Sequence, residues 1–180
     1  MQENFDSGAI TPTAEGSTLH HAVQGSGDRS KKIEAITIAL MFCMGAFISD
    51  RIFKYLIMND LFPTQVLRPG FLAIVKHYNH GLLANFPMPL AVSVAINLVA
   101  LAVLVYALVQ SVKNVRAMEC QALGFLLGGA LGNLFDRLVF GYVFDWMMWF
   151  NTSIINFADV YIATGIGLYL WAHSQGKGES

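Results

Sequence analysis

Four long apolar stretches decide what this chain can fold into. They cover residues 33 to about 57, 88–110, 117 to about 138 and 157 to about 173. Each reaches the roughly 17–25 residues that carry an α-helix across a bilayer, the last only just. A backbone inside a bilayer has to satisfy its own hydrogen bonds, so such segments are helices. Composition agrees: 55% of the 180 residues are hydrophobic, 13% are charged, and mean hydropathy is +0.52. A soluble domain carries about 25% charged residues, so this chain lacks the polar groups to cover a water-facing surface. The expected fold is an all-α membrane protein of four transmembrane helices forming one domain, residues 31–175, between a disordered N-terminal tail (1–30) and a short C-terminal tail (176–180).

The first 30 residues are rich in Gly, Ser, Thr, Asp and His and show no apolar period. They lack the apolar core that follows the basic start of a signal peptide. His20 and His21 stand together in that tail, where such a pair is incidental rather than a metal site. Cys43 and Cys120 fall in apolar segments without C-x-x-C spacing, and read as packing residues. Neither the histidine pair nor the cysteines show a metal-ligand pattern, and a net charge of -1 argues against nucleic acid as a partner. Between the first two spans lies a connection of about 30 residues with Pro63, Pro69, Pro87 and Pro89, whose centre, FLAIVKHY (71–78), has strand composition. A small β-rich loop on the membrane surface is expected there.

Lys and Arg set the orientation. Arg29, Lys31 and Lys32 precede the first span, Lys113 and Arg116 lie in the second loop, and Lys177 follows the last span; the first and third loops hold only Arg68 and Lys76. The positive-inside rule then puts both termini in the cytoplasm. Asp50, Arg51, Lys54, Arg137, Asp145 and Asp159 gather toward the outer face.

Gly124, Gly128 and Gly132 repeat at a four-residue step along the third span, a stripe that lets a neighbouring helix or a ligand backbone come close. Asp136 continues the stripe, flanked by Asn133 and Arg137. Beyond it, Asp145 sits among Val143, Phe144, Trp146 and Met147, and Asp159 opens the fourth span. Carboxylates in apolar surroundings are costly unless paired or protonated, and at membrane depth they are functional candidates. Apolar neighbours should raise the pKa of Asp145. Asn156 is placed to cap the fourth helix, whose dipole favours an ionised Asp159, unless Asp159 is simply a helix-start residue. One charged and one protonated carboxyl are what two-carboxylate hydrolysis needs. Asp50 and Lys54, at i and i+4, form either an ion pair of the site or an interfacial anchor with Lys54 snorkelling toward headgroups. Asn79-His80-Gly81 reads as a turn, His80 being a weak candidate base. Trp146, Trp149, Phe150 and Phe157 read as an interfacial aromatic belt.

GGALGNLFDR (128–137), GYVFD (141–145) and NFAD (156–159) together closely resemble the lipoprotein signal peptidase family, also called signal peptidase II. The similarity is dense over the third and fourth spans. It is looser in the first, through Asp50 to Lys54 and the Asn79-x-Gly81 turn. The resemblance implies a four-helix membrane aspartyl endopeptidase of the bacterial inner membrane, acting as a monomer among membrane lipids without cofactor. Its substrates are prolipoproteins, cut on the amino side of a diacylglyceryl-modified cysteine. It implies Asp145 and Asp159 as the catalytic dyad, supported by Asp50, Lys54, Asn79, Gly81, Asn133, Asp136, Arg137 and Asn156. The chain departs from the family at Phe53, where a small hydroxyl residue is usual, at Leu82-Leu83-Ala84-Asn85-Phe86 in place of a shorter A-A-F, and in a somewhat short connection between the two aspartates. A proton-coupled transporter and an inactive structural relative are the competing readings.

Overall fold

The computed structural model describes residues 14–81 and 88–175, with side chains from Gly27 onward. The elements run α1 (Ala14–Met58), β1 (Gln65–Arg68), β2 (Leu72–Asn79), α2 (Leu90–Lys113), α3 (Ala117–Phe140), β3 (Val143–Trp149), β4 (Ser153–Ile155) and α4 (Phe157–Gln175). Among the described residues, three helices are long and apolar enough to cross a membrane: α1 over Gly27–Met58, α2 and α3. α4 has 19 residues, about 28 Å of helix. Asp159, Tyr161, Tyr169, Trp171 and His173 dilute its apolar character. α1 begins at Ala14, well ahead of the expected start of the first span. Leu82 to Phe86, where the chain departs from the family turn, lie outside the described residues.

α3 is the centre of the bundle, with α1, α2 and α4 all packed on it. Its glycines explain why. A Cβ built on Gly124 would stand 2.5 Å from the Ala39 carbonyl oxygen, and one on Gly128 would stand 2.5 Å from that of Cys43. On another face, a Cβ on Gly129 would meet the Ala158 oxygen at 2.5 Å, and Gly165 of α4 is pressed against Leu126 and the Ala122 oxygen. Without a hydrophobic drive between helices in lipid, such backbone approach is what supplies dispersion contact. The stripe is therefore filled by α1, leaving no ligand groove over these glycines. On the outside, Leu40, Met41, Ile52, Val99, Val103, Tyr106 and Leu170 are all more than half exposed except Ile52 at 50%, the inverse of a soluble surface and what acyl chains require.

The sheet is fully antiparallel in the order β1-β2-β3-β4. β1 and β2 come from the expected surface loop. β3 and β4 come from the α3–α4 connection, which the sequence did not mark as strand. VFDWMMW is buried along most of its length, so it lacks the polar–apolar alternation of a half-exposed strand. β2 carries an extra residue between the pairs Ile74↔Met147 and His77↔Asp145, a bulge next to Asp145. The sheet lies against the end of α1 through a cluster of Ile57, Ile74, Phe144, Trp146 and Met147, edged by Phe53 and Phe157. Trp146 is thus a core residue, 5% exposed, rather than a belt residue. Its ring stacks on Phe53 at 5.8 Å and meets Phe157 edge-on at 4.9 Å. Phe53, the departure in the first-span motif, fills this aromatic cluster.

Candidate active site

Asp145 projects from the middle of β3, and Asp159 lies in the first turn of α4. The β3–β4 hairpin and the short step into α4 bring them to one place. Phe150 and Asn151 both take positive φ, +51° and +55°, which makes the chain reversal tight enough for a short connection. Asn156 ties the two carboxylates together. Its side-chain amide donates to Asp145 Oδ1 at 2.6 Å, its backbone N–H donates to Asp159 Oδ2 at 3.2 Å, and its Oδ1 accepts the Asp159 N–H at 3.1 Å. That reciprocal pair is a capping box built with asparagine and aspartate, and it fixes α4 at its first turn.

The remaining carboxylate oxygens are also occupied. Asn79 donates to Asp145 Oδ2 at 3.0 Å, and Asn133 donates to Asp159 Oδ1 at 2.9 Å. Asn79 is held in turn by the Gly81 N–H at 2.9 Å, so the Asn79-x-Gly81 turn orients a donor. Arg137 spans from the Gly81 carbonyl to the Asn133 carbonyl, at 3.2 and 3.3 Å, linking that turn to α3. All ten residues singled out in the sequence join one hydrogen-bonded network.

Asp145 is 2% exposed. Its pKa is pushed up to about 6, chiefly by burial and secondarily by the negative charge of Asp159, while the amides of Asn79 and Asn156 and the Lys54 ammonium pull the other way. Asp159 is only partly buried. Two carboxyls with unequal environments sharing one amide bridge can hold one proton between them, which is the requirement for acid–base hydrolysis without a metal. Among the described residues no group of His, Cys, Asp and Glu is arranged to hold a metal ion.

Lys54 does not snorkel. It is 2% exposed and sits between Asp50 at 3.0 Å and Asp136 at 2.7 Å. Its headgroup is needed there because two fully buried carboxylates face each other across the α1–α3 contact. Sequence reasoning placed Arg51 at this end of the molecule but gave it no role. Its guanidinium bridges the same two carboxylates, with Nη2 on Asp50 Oδ2 at 2.7 Å and Nη1 on Asp136 Oδ1 at 2.5 Å. The Asp50-Arg51 adjacency and the turn of helix to Lys54 were visible, but the pairing with Asp136 across the bundle was not. His80 is exposed and packs its ring on Tyr142 at 5.6 Å.

Residues 42–174 match the family model described as signal peptidase (SPase) II. The lipoprotein signal peptidase of Dichelobacter nodosus is 29% identical over 143 residues, covering 73% of this chain and 90% of that protein. The lipoprotein signal peptidase of Brucella ovis is 29% identical over 146 residues, covering 77% and 91%. A bacterial membrane enzyme solved by the in meso method at 2.3 Å shares the fold with a TM-score of 0.69 at 24% identity, covering 79% of this chain and 90% of its own. A second, solved at 1.9 Å, gives a TM-score of 0.64 at 25% identity over 74% and 90%. The matched segment contains every residue of the network around Asp145 and Asp159, and the chain belongs to the signal peptidase II family.

Proposed function

We propose that this protein is an aspartyl endopeptidase of the bacterial inner membrane that removes the signal peptide of prolipoproteins, cutting on the amino side of a diacylglyceryl-modified cysteine. The observation that carries the reading is the amide-bridged pair Asp145 and Asp159, one nearly sealed from solvent and one partly open. Asp159, holding donors from Asn133 and the Asn156 backbone, is suited to the charged role. It takes a proton from the attacking water as the water oxygen adds to the scissile carbonyl carbon. Asp145 begins protonated and passes its proton to the carbonyl oxygen. Collapse of the resulting diol breaks the C–N bond: Asp159 returns its proton to the leaving amine, and Asp145 recovers one from the diol. Substrate covering the site removes water and favours the protonated Asp145 further.

In this reading α4 is a fourth span, both termini are cytoplasmic, the sheet lies at the outer face, and the enzyme works as a monomer. A proton-coupled transporter would carry its carboxylates along a path through the bundle. Here Asp50, Asp136 and Asp145 crowd the sheet end, while glycine and alkyl side chains fill the middle of α3. The test is cleavage of one precursor in detergent with and without its diacylglyceryl group. The lipidated form should be cut at the modified cysteine and the unlipidated form cut poorly; equal cutting of both would reject the stated specificity, and cutting of neither the reading itself.

A further inference from the structure

We infer that Arg51 is a positioning residue: with Asp50, Lys54 and Asp136 it forms a charged brace that sets the spacing between the strand bearing Asp145 and the helix bearing Asp159. This rests on the functional reading above for its catalytic consequence. The geometry is direct. Asp136 Oδ2 accepts the backbone N–H of Phe144, the residue before Asp145, at 3.1 Å. Asp50 Oδ1 accepts the backbone N–H of Ala158, the residue before Asp159, at 3.1 Å. Each carboxylate of the brace therefore grips the backbone one residue ahead of one member of the dyad.

What fixes the two grips relative to each other is the pair of cations between Asp50 and Asp136. Lys54 offers a compact ammonium to both. Arg51 offers a rigid fork with one nitrogen on each, and so specifies a distance, which a point charge does not. Its second nitrogen also reaches toward the Gly132 carbonyl at 3.4 Å, and its guanidinium lies over the Phe135 ring at 4.8 Å. Asp50 and Asp136 are 0% and 1% exposed, so with Arg51 gone a single ammonium would face two buried carboxylates. The two anions would repel, and β3 and α4 would move apart with them.

The charged and titratable groups on the elements around Asp145 include Asp50, Arg51 and Lys54 of α1, Asp136 and Arg137 of α3, Asp159 of α4, and Lys76, Tyr78 and, opposite Asp145, His77 of β2. Separation admits water to Asp145 and weakens the Asp159 field, the two largest causes of its raised value, and together these outweigh the loosened Asn156 donor. Loss of a cation with no movement acts the other way and raises Asp145 further. The sign of the change therefore tells movement from simple charge removal.

The experiment is an infrared pH titration of the Asp145 carboxyl band in the full-length protein, read as a difference from Asp145→Asn, for wild type, Arg51→Met and Arg51→Lys. Methionine keeps an apolar stem under Phe47 and Phe135, and lysine keeps the charge without the fork. The Asp145 midpoint should fall in Arg51→Met and fall less in Arg51→Lys. Cleavage of lipidated precursor should lose about tenfold or more in kcat with little change in KM. A midpoint that stays put or rises in the variants that fold overturns the brace; should Arg51→Met fail to fold, Arg51→Lys decides. The titration is read whether or not the protein cleaves, so an inactive wild type would count against the functional reading alone.

Discussion

Asp145 is a carboxyl kept almost out of solvent, 2% exposed, with donors from Asn79 and Asn156 on its two oxygens. Its folded pKa of about 6 lies above the ordinary carboxylate range, so the penalty is on the charged form. Below the ordinary range Asp145 is protonated in folded and unfolded chains alike, and its full contribution to stability is present. As pH rises through about 6, the folded chain loses that contribution. Asp159→Asn should lower the Asp145 value, because it removes the second cause of the shift, but should not return it to the ordinary range, because burial is the first. Asn79→Ala should raise it, by removing a donor to the charged form. Infrared titration of the carboxyl band checks both, and a shift of opposite sign in either variant would contradict this account of the site. At this scale the sequence was informative: a lone carboxylate among Val143, Phe144 and Trp146 is anomalous whatever the fold. It was silent on Arg51 and ambiguous on Lys54, because a cation's role depends on which anion faces it across the bundle, and Asp136 is 85 positions from Arg51.

The helices were legible as elements, since their length and apolarity follow from the bilayer alone. The glycine stripe was legible as close approach, but not what approached; α1 settles it by placing backbone oxygens against Gly124 and Gly128. Gly128→Ala should therefore force α1 from α3 and lower the thermal unfolding midpoint of the purified protein. Gly167→Ala, with nothing within 4 Å of its new Cβ, should leave the midpoint unchanged or raise it, since alanine favours the helix by up to about 1 kcal/mol. Equal effects of the two substitutions would contradict the packing described. Two strands escaped the sequence. β3 is apolar on both faces except for Asp145, and its partner β2 lies before α2 and α3 in the chain, so no local pattern announces the pairing. Trp146 was misread as a belt residue for the same reason: its neighbours Phe53 and Phe157 come from α1 and α4.

In the whole molecule, a glycine-lined helix α3 holds α1 and α4 at fixed distance, and the sheet closes one end of the bundle over the amide-bridged carboxylates. The proposed orientation makes that end the outer one. Reporter fusions after Gln110 and after His173 should both signal cytoplasm, and fusions between residues 62 and 87 should signal the outer side. A cytoplasmic signal from that loop would remove access of secreted precursors to the site. The most direct test of the central claim is single-turnover cleavage of a diacylglyceryl-modified precursor by purified wild type, Asp145→Asn, Asp159→Asn, the double variant and Asp136→Asn. Each single dyad variant should lose at least about a hundredfold, with the double variant little worse than either, as for groups acting as a unit. Asp136→Asn, which keeps an acceptor for the Phe144 N–H, should be milder. Substantial cleavage by folded Asp145→Asn beside an inactive Asp136→Asn would contradict the account and move the first catalytic carboxylate from β3 to α3.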